Sequence, residues 1–289
     1  MVRRLSEDMV KGILGICAIF SIIIIFLIII FLFREGLEAF SYTNVIDFVL
    51  GREWNPSKET FGAAAFIVSS LFVTVGAIII AVPVGLLTAI FLAELSPQRV
   101  REVVKPAIEL LAGIPSVIYG LFGLIVIVKY IRITLDQPTG ESILAGSIIL
   151  AIMILPTIIR TSEEALLTVP RAYREGSLSL GATKWYTIFN VVLPNAMPGI
   201  VTGIVLSVGR IIAETAIFWV TLGGSYHLPM TVMNSGRSMA LHVYMLASET
   251  RAFDKAMGTA SILIIIIILL NLSINILSRR LTARMNGKK

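Results

Sequence analysis

The chain has 289 residues, of which 56% are hydrophobic and only 15% charged, against roughly a quarter charged in an average soluble domain. Its mean hydropathy of +0.91 is spread over several apolar stretches, which excludes both a soluble domain and a single anchor or signal segment. The 24 Lys and Arg outnumber the 18 Asp and Glu, but in a polytopic membrane protein basic residues report which loops stay in the cytoplasm, so nucleic-acid binding is excluded as a reading.

Cys17 is the only cysteine, so neither an internal disulfide nor a Cys-based metal site is available, and His227 and His242 fit no HExxH-like arrangement. No G-x-x-x-x-G-K-[ST] phosphate loop occurs. If ATP drives this protein, the nucleotide and its magnesium are bound by another chain.

A helix needs about 20 apolar residues to cross the hydrocarbon core with every backbone amide bonded internally. Six stretches meet that length, at about 12–33, 61–93, 110–128, 142–159, 191–221 and 257–278, and predict an all-α, six-span protein. The first is free of charge and has no second polar face, which suits a helix surrounded by lipid. The second is too long for one straight span and calls for tilt or a bend at Pro83. Lys and Arg decide the orientation: the N-terminal segment 1–11, the second and fourth loops and the basic tail 279–289 carry 15, and the alternate loops carry eight. Both termini are therefore expected in the cytoplasm. The outer loop 34–60, rich in turn and cap formers, is expected to form a small surface cap with no catalytic site.

The loop 160–190 is patterned as more than a connector. Thr168 and Pro170 supply a helix start, 173–180 can form a short helix, Gly181 ends it as a left-handed cap, and Thr183 caps a second helix entering the membrane. This helix, turn and helix would present Tyr173, Leu178 and Leu180 beside Arg174 and Glu175, a surface that a partner can grip.

Inside the fifth span stand Arg210 and Glu214, and a charge at the centre of a membrane helix costs about 2.5–3.5 kcal/mol on insertion scales. Four residues apart on a helix they can pair and staple the helix to its neighbours. Alternatively Arg210 faces a pathway and meets an oxyanion in bidentate geometry while Glu214 moderates its hold. The residues alone leave both readings open. Gly113 with Pro115, and Pro156, can free backbone groups toward a pathway or merely kink a helix. Ser69, Ser70, Thr74 and Ser207 are read as packing hydroxyls, and Trp185 and Trp219 as interfacial or packing aromatics.

Glu175, Gly176, Ser177, Gly181, Leu193 and Pro194 fall into the pattern E-A-A-x3-G-x9-I-x-L-P, with Gly176, Ser177 and Val191 as small departures. The pattern resembles the signature loop of bacterial ABC importer permeases. The resemblance implies a type I importer architecture in which Tyr173, Arg174, Glu175, Gly176, Ser177, Gly181, Leu193 and Pro194 belong to the segment that couples to an ATPase.

Further stretches are similar to the phosphate-specific ABC transporter permeases. Trp54-Asn55-Pro56 with Phe61-Gly62, 81–85 (A-V-P-V-G) and 109–120 (E-L-L-A-G-I-P-S-V-I-Y-G) resemble the PstC type, whereas 158–166 and 238–271 resemble the PstA type. The segment 209–215 resembles the G-R-x-x-G-E-T element of these permeases, with Ala213 in place of Gly. That resemblance implies a pathway role for Arg210 and Glu214, with Gly113 and Pro115 as a gate or pathway bend. It also implies phosphate as solute, a second permease of PstA or PstC type or a second copy of this chain, two ATPase subunits and an extracytoplasmic phosphate-binding protein. The importer subunit itself would hydrolyse nothing. A permease for sulfate or molybdate is the alternative within the class, and a channel or sensor without ATP coupling the alternative outside it.

Overall fold

The computed structural model describes residues 2–42 and 44–285, with the side chains of 7, 9–40 and 44–276. The side chains of Arg3 and Arg4, and of the basic tail from Arg279 onward, lie outside that description. Apart from one hairpin of two-residue strands and one isolated bridge, the regular structure of the described chain is helical, and six helices are long and apolar enough to cross a membrane: Met9–Phe40, Ala64–Leu95, Ser116–Thr134, Ile143–Thr168, Lys184–Ile212 and Phe253–Ile276.

Helix α1 (Val2–Tyr42) leads into a cap made of α2 (Val45–Leu50) and the strands β1 (Trp54–Asn55) and β2 (Thr60–Phe61). The expected surface cap is thus present. It is anchored by Phe48, Trp54 and Phe61, which pack with Phe66 at the start of α3 (Ala64–Ile90). Helix α3 continues through a π-helical turn, Phe91–Leu95, to the opposite end of the bundle. That end carries α8 (Arg171–Ser179). The last helix, α13 (Phe253–Met285), starts at the cap end and lies against α1, with Gly258 facing Ala39 and Ser261 Oγ donating to Leu32 O. The outer surface of α1 from Met9 to Ile28 is exposed in the single chain, in line with a lipid-surrounded helix.

The centre of the bundle is α7 (Ile143–Thr168), the most buried of the spans. It packs along α3 and along α10 (Leu193–Ile212). Gly85 lets α3 approach: a Cβ there would lie 2.7 Å from Ile158 Cγ2. The core between these helices holds Val73, Tyr119, Ile149, Leu150, Ile154 and Phe218.

Three spans differ from the reading of hydropathy alone; the fourth, expected at 142–159, runs on as α7 to Thr168, so that 160–168 of the expected loop are helix and the loop begins at Val169. The third, expected at 110–128, is Ser116–Thr134, comprising α5 (Ser116–Phe122), a π-helical turn and α6 (Lys129–Thr134), and it is preceded by a separate helix, α4 (Gln98–Ala112). The apolar run passes through Gly113-Ile114-Pro115, where Pro115 lacks an amide and disfavours helical backbone in the residue before it, so the helix stops and restarts. The fifth, expected at 191–221, begins earlier with α9 (Lys184–Thr187) and a π-helical turn, and ends at Ile212. Residues 216–221 form a separate short helix, α11.

Candidate translocation site and coupling surface

Glycines fix the antiparallel register of α10 on α7, Gly199 facing Ala165 and Gly203 facing Thr161. Carried on, this register brings Arg210 level with the middle of α7. Arg210 is exposed on the surface of the single chain. The i,i+4 pairing open to Arg210 and Glu214 needs an unbroken helix, but α10 ends at Ile212. Glu214 instead turns to α11: its Oε1 accepts from the amides of Thr215 (3.1 Å), Ala216 (3.0 Å) and Ile217 (3.4 Å). A carboxylate on these otherwise orphaned amides stabilises the restart of the helix by charge and hydrogen bonding together. No ion pair joins Arg210 to a carboxylate among the described residues.

The break between α4 and α5 lies against this one. Gly120 of α5 meets α11 closely, a Cβ there lying 3.3 Å from Ala216 O and Ile217 Cα. Tyr119, one residue earlier, donates its hydroxyl to Leu111 O across the Gly113–Pro115 break at 2.7 Å, and the Arg210 guanidinium is near enough to act on it electrostatically. The structure therefore brings Gly113, Pro115, Arg210 and Glu214 to one place, two helix breaks side by side around an open cation. Tyr119 was legible only as part of an apolar run; a tyrosine one turn after a membrane proline is the signal that marks it.

At the α8 end the local sequence folds as its caps dictate. Gly181 sits at φ +83, and Thr183 Oγ1 accepts from Tyr186 N. Thr168 does not cap α8; its hydroxyl bonds back to Ala165 O, and Pro170 stands at the helix start. Tyr173, Leu178, Leu180, Trp185 and Tyr186 are exposed, Leu180 at 90%. An open cleft of about 740 Å³ is lined by Tyr173, Leu180 and Tyr186 together with Gly176, Ser177 and Gly181. Glu175 and Gly176 are exposed, and nothing lies within 4 Å of a Cβ built at Gly176. Ser177 turns inward to Thr187, Oγ to Oγ1 2.9 Å. Leu193 packs in the interior and Pro194 occupies the first turn of α10. Arg174 also points inward, to Glu94, an acid that sequence reasoning did not single out.

The remaining candidates are packing groups. Ser69, Thr74 and Ser207 are buried and donate to carbonyls one turn back, and Ser70 Oγ accepts from Met239 N. Pro156 lines a cavity of about 220 Å³ with Lys105, Glu109, Arg160 and Glu163, where Lys105 pairs with Glu163 at 2.8 Å. No cluster of three His, Cys, Asp or Glu side chains fit to hold a metal occurs among the described residues.

At the cap end, His242 of α12 (Met239–Ser248) is fully buried, stacked on Phe66 and met edge-on by Trp54. Burial, reinforced by the neighbouring Arg237, pushes its pKa down to about 2. Arg237 is itself buried; it donates to Gly224 O, faces His242 Nδ1 and lies 4.1 Å from the Tyr226 ring.

Comparison with known proteins bears on the family and the fold. The family described as binding-protein-dependent transport system inner membrane component matches residues 81–287. The "Probable ABC transporter permease protein YqgH" of Bacillus subtilis is 41% identical over 231 residues, covering 78% of this chain and 75% of that protein. The phosphate transport system permease protein PstC of Pasteurella multocida is 34% identical over 272 residues, covering 87% of this chain and 84% of that one. In fold the chain is similar to one from a bacterial alginate ABC transporter solved with an alginate pentasaccharide-bound periplasmic protein, with a TM-score of 0.64 at 20% identity, covering 96% of this chain and 98% of that chain.

Proposed function

The chain belongs to the family of binding-protein-dependent transport system inner membrane components, and from that premise we propose that it is a permease subunit of an ATP-driven importer of inorganic phosphate. In this reading it lies in the cytoplasmic membrane with both termini and the α8 loop in the cytoplasm, an orientation that the distribution of Lys and Arg supports. The relatives named as phosphate permeases support the solute.

The observation that carries the reading is the state of Arg210. It stands in the last turn of α10, level with the middle of the central helix α7, and an arginine at that depth is stable only with water, an anion or a partner to satisfy it. Its natural carboxylate, Glu214, is committed to three backbone amides, so the guanidinium stays open on a face that a second permease, another chain or a second copy of this one, covers to enclose a path. A phosphate oxygen pair suits its planar fork. Because no carboxylate among the described residues pairs with it, the attraction is long enough in range to draw the anion in, while a single cation does not trap it.

Beside it, Gly113 and Pro115 give α4 and α5 a joint, and Tyr119 ties the joint to the same place. Alternating access follows if the two sides of the joint open in turn. The α8 surface, with Tyr173, Leu178 and Leu180 exposed around the Gly181 turn, is where an ATPase subunit docks. ATP and magnesium are held by the two ATPase subunits, and a separate extracytoplasmic protein delivers the solute.

The test is uptake into proteoliposomes holding this chain with its partner permease, ATPase and binding protein, with sulfate and molybdate as competitors. ATP-dependent phosphate uptake that neither competitor reduces is the expected result. Uptake of another oxyanion would keep the importer and replace its solute, and flux without ATP would overturn the coupling.

A further inference from the structure

Arg174 lies on α8 among residues that face outward, yet its guanidinium is turned into the protein and fully used. Nη2 donates to Glu94 Oε1 at 2.6 Å and to Leu166 O at 2.9 Å, Nε donates to Glu94 Oε1 at 3.1 Å, and Nη1 donates to Val169 O at 2.7 Å. Both charged side chains are largely buried, with 19% of Arg174 and 8% of Glu94 exposed. One side chain thereby joins three elements: α8 itself, the last carbonyls of α7, and the π-helical turn Phe91–Leu95 that ends α3.

The same π-helical turn is held from another side. Its wide ring, closed by Ser96 N to Phe91 O, leaves carbonyls without the usual intrahelical partners. Arg101 of α4 fills that need: its Nε donates to Leu92 O at 3.0 Å and its Nη2 to Ala93 O at 3.3 Å. Helix α4 then runs to the Gly113–Pro115 joint beside Arg210. A continuous set of charge-assisted contacts therefore leads from α8, through Arg174 and Glu94 to the end of α3, and through Arg101 to α4 and the joint.

We propose that Arg174 is a positioning residue whose forked pair with Glu94 carries displacement of α8 to the end of α3 and, through Arg101, to α4 and the Gly113–Pro115 joint. The inference rests on the importer reading, and assigns within it which contact transmits motion. The fork is essential: an arginine reaches a carboxylate and two separate carbonyls at once, whereas a lysine supplies the charge without that geometry. Glu94 has the matching requirement, since only a carboxylate offers two acceptors with the opposite charge.

The test uses the complete importer in proteoliposomes and reads solute moved per ATP hydrolysed for Arg174→Lys, Glu94→Gln and the double variant. Complex assembly and the ATPase concentration that half-saturates it are measured alongside. Each single variant should assemble normally and bind the ATPase as the parent does, yet move about tenfold less solute per ATP. The double variant should be no worse than either single one, because both remove the same link. Losses that multiply in the double variant would overturn the pairing. A raised half-saturating ATPase concentration in Arg174→Lys with none in Glu94→Gln would overturn the positioning role and make Arg174 a docking residue. Should the parent complex move sulfate rather than phosphate, the same ratio read with sulfate keeps this test intact, so failure of the solute assignment and failure of the link are separately visible; a parent without ATP-dependent flux would overturn both.

Discussion

Arg174 and Arg210 stand in the same chain at two depths, and their surroundings are opposite. Arg174 has every side of its guanidinium engaged, by a buried carboxylate and two helix-terminal carbonyls. Arg210 sits in the last turn of α10, level with the middle of α7, on an exposed face, and the nearest acid in sequence has turned away to cap α11. The contrast separates what a membrane protein uses a charge for. A saturated cation fixes geometry, because any movement breaks several charge-assisted bonds at once, whereas an open cation is kept for something that arrives and leaves.

That contrast predicts opposite phenotypes. Arg174→Ala leaves Glu94 buried and unpaired, so it should cost about 3 kcal/mol of stability, as breaking a buried pair from one side does; unfolding of the purified chain in detergent would register it. Arg210→Gln should leave that unfolding unchanged and lower uptake by about a hundredfold, the upper part of the range for losing a charge-assisted contact. If Arg210→Gln instead unfolded the chain or prevented assembly, the open cation would be a structural staple and the contrast would collapse.

A smaller effect sharpens it. Glu214→Ala removes the acceptor from three amides and should cost about 1 kcal/mol, the usual worth of a helix N-cap, with uptake falling because the α10–α11 break loses its shape. Restoring uptake with Glu214→Asp but not with Glu214→Gln would assign the effect to charge at the helix start rather than to bulk.

The cap end supplies a third arginine between the two extremes. Arg237 is buried but satisfied by neutral groups, among them His242 Nδ1. His242 has its folded-state pKa lowered to about 2, below the value of about 6.5 in an unfolded chain. The unfolded chain therefore takes up the proton first, so the contribution of the neutral imidazole is whole above about pH 6.5 and is lost as pH falls from there, by up to about 1.4 kcal/mol per unit. Thermal unfolding measured from pH 7.5 down to pH 5 should show this slope in the parent and a shallower one in His242→Gln.

Much of this protein was determined by its sequence. Six apolar stretches of about 20 residues had to become helices, because the other structure that satisfies a backbone in hydrocarbon, a closed barrel, is built from strands of about ten residues. The turn at Gly181 and the cap at Thr183 were legible since both depend only on neighbours in the chain, as was the small cap carrying Trp54. The tertiary structure decided the rest. Pro115 could kink one span or divide two helices, and the structure divides them with Tyr119 bonded back across the break to Leu111 O. Glu214 could pair with Arg210 or cap a new helix, and the end of α10 chose the second. Arg174 read as a surface residue because it stands between Tyr173 and Glu175 in a short polar helix, and its true partner lies 80 residues away in sequence. Local pattern fixes backbone conformation and apolar faces, but the partner of a charge is chosen by packing between segments distant in the chain, and on that choice the difference between a fixed and an open cation depends.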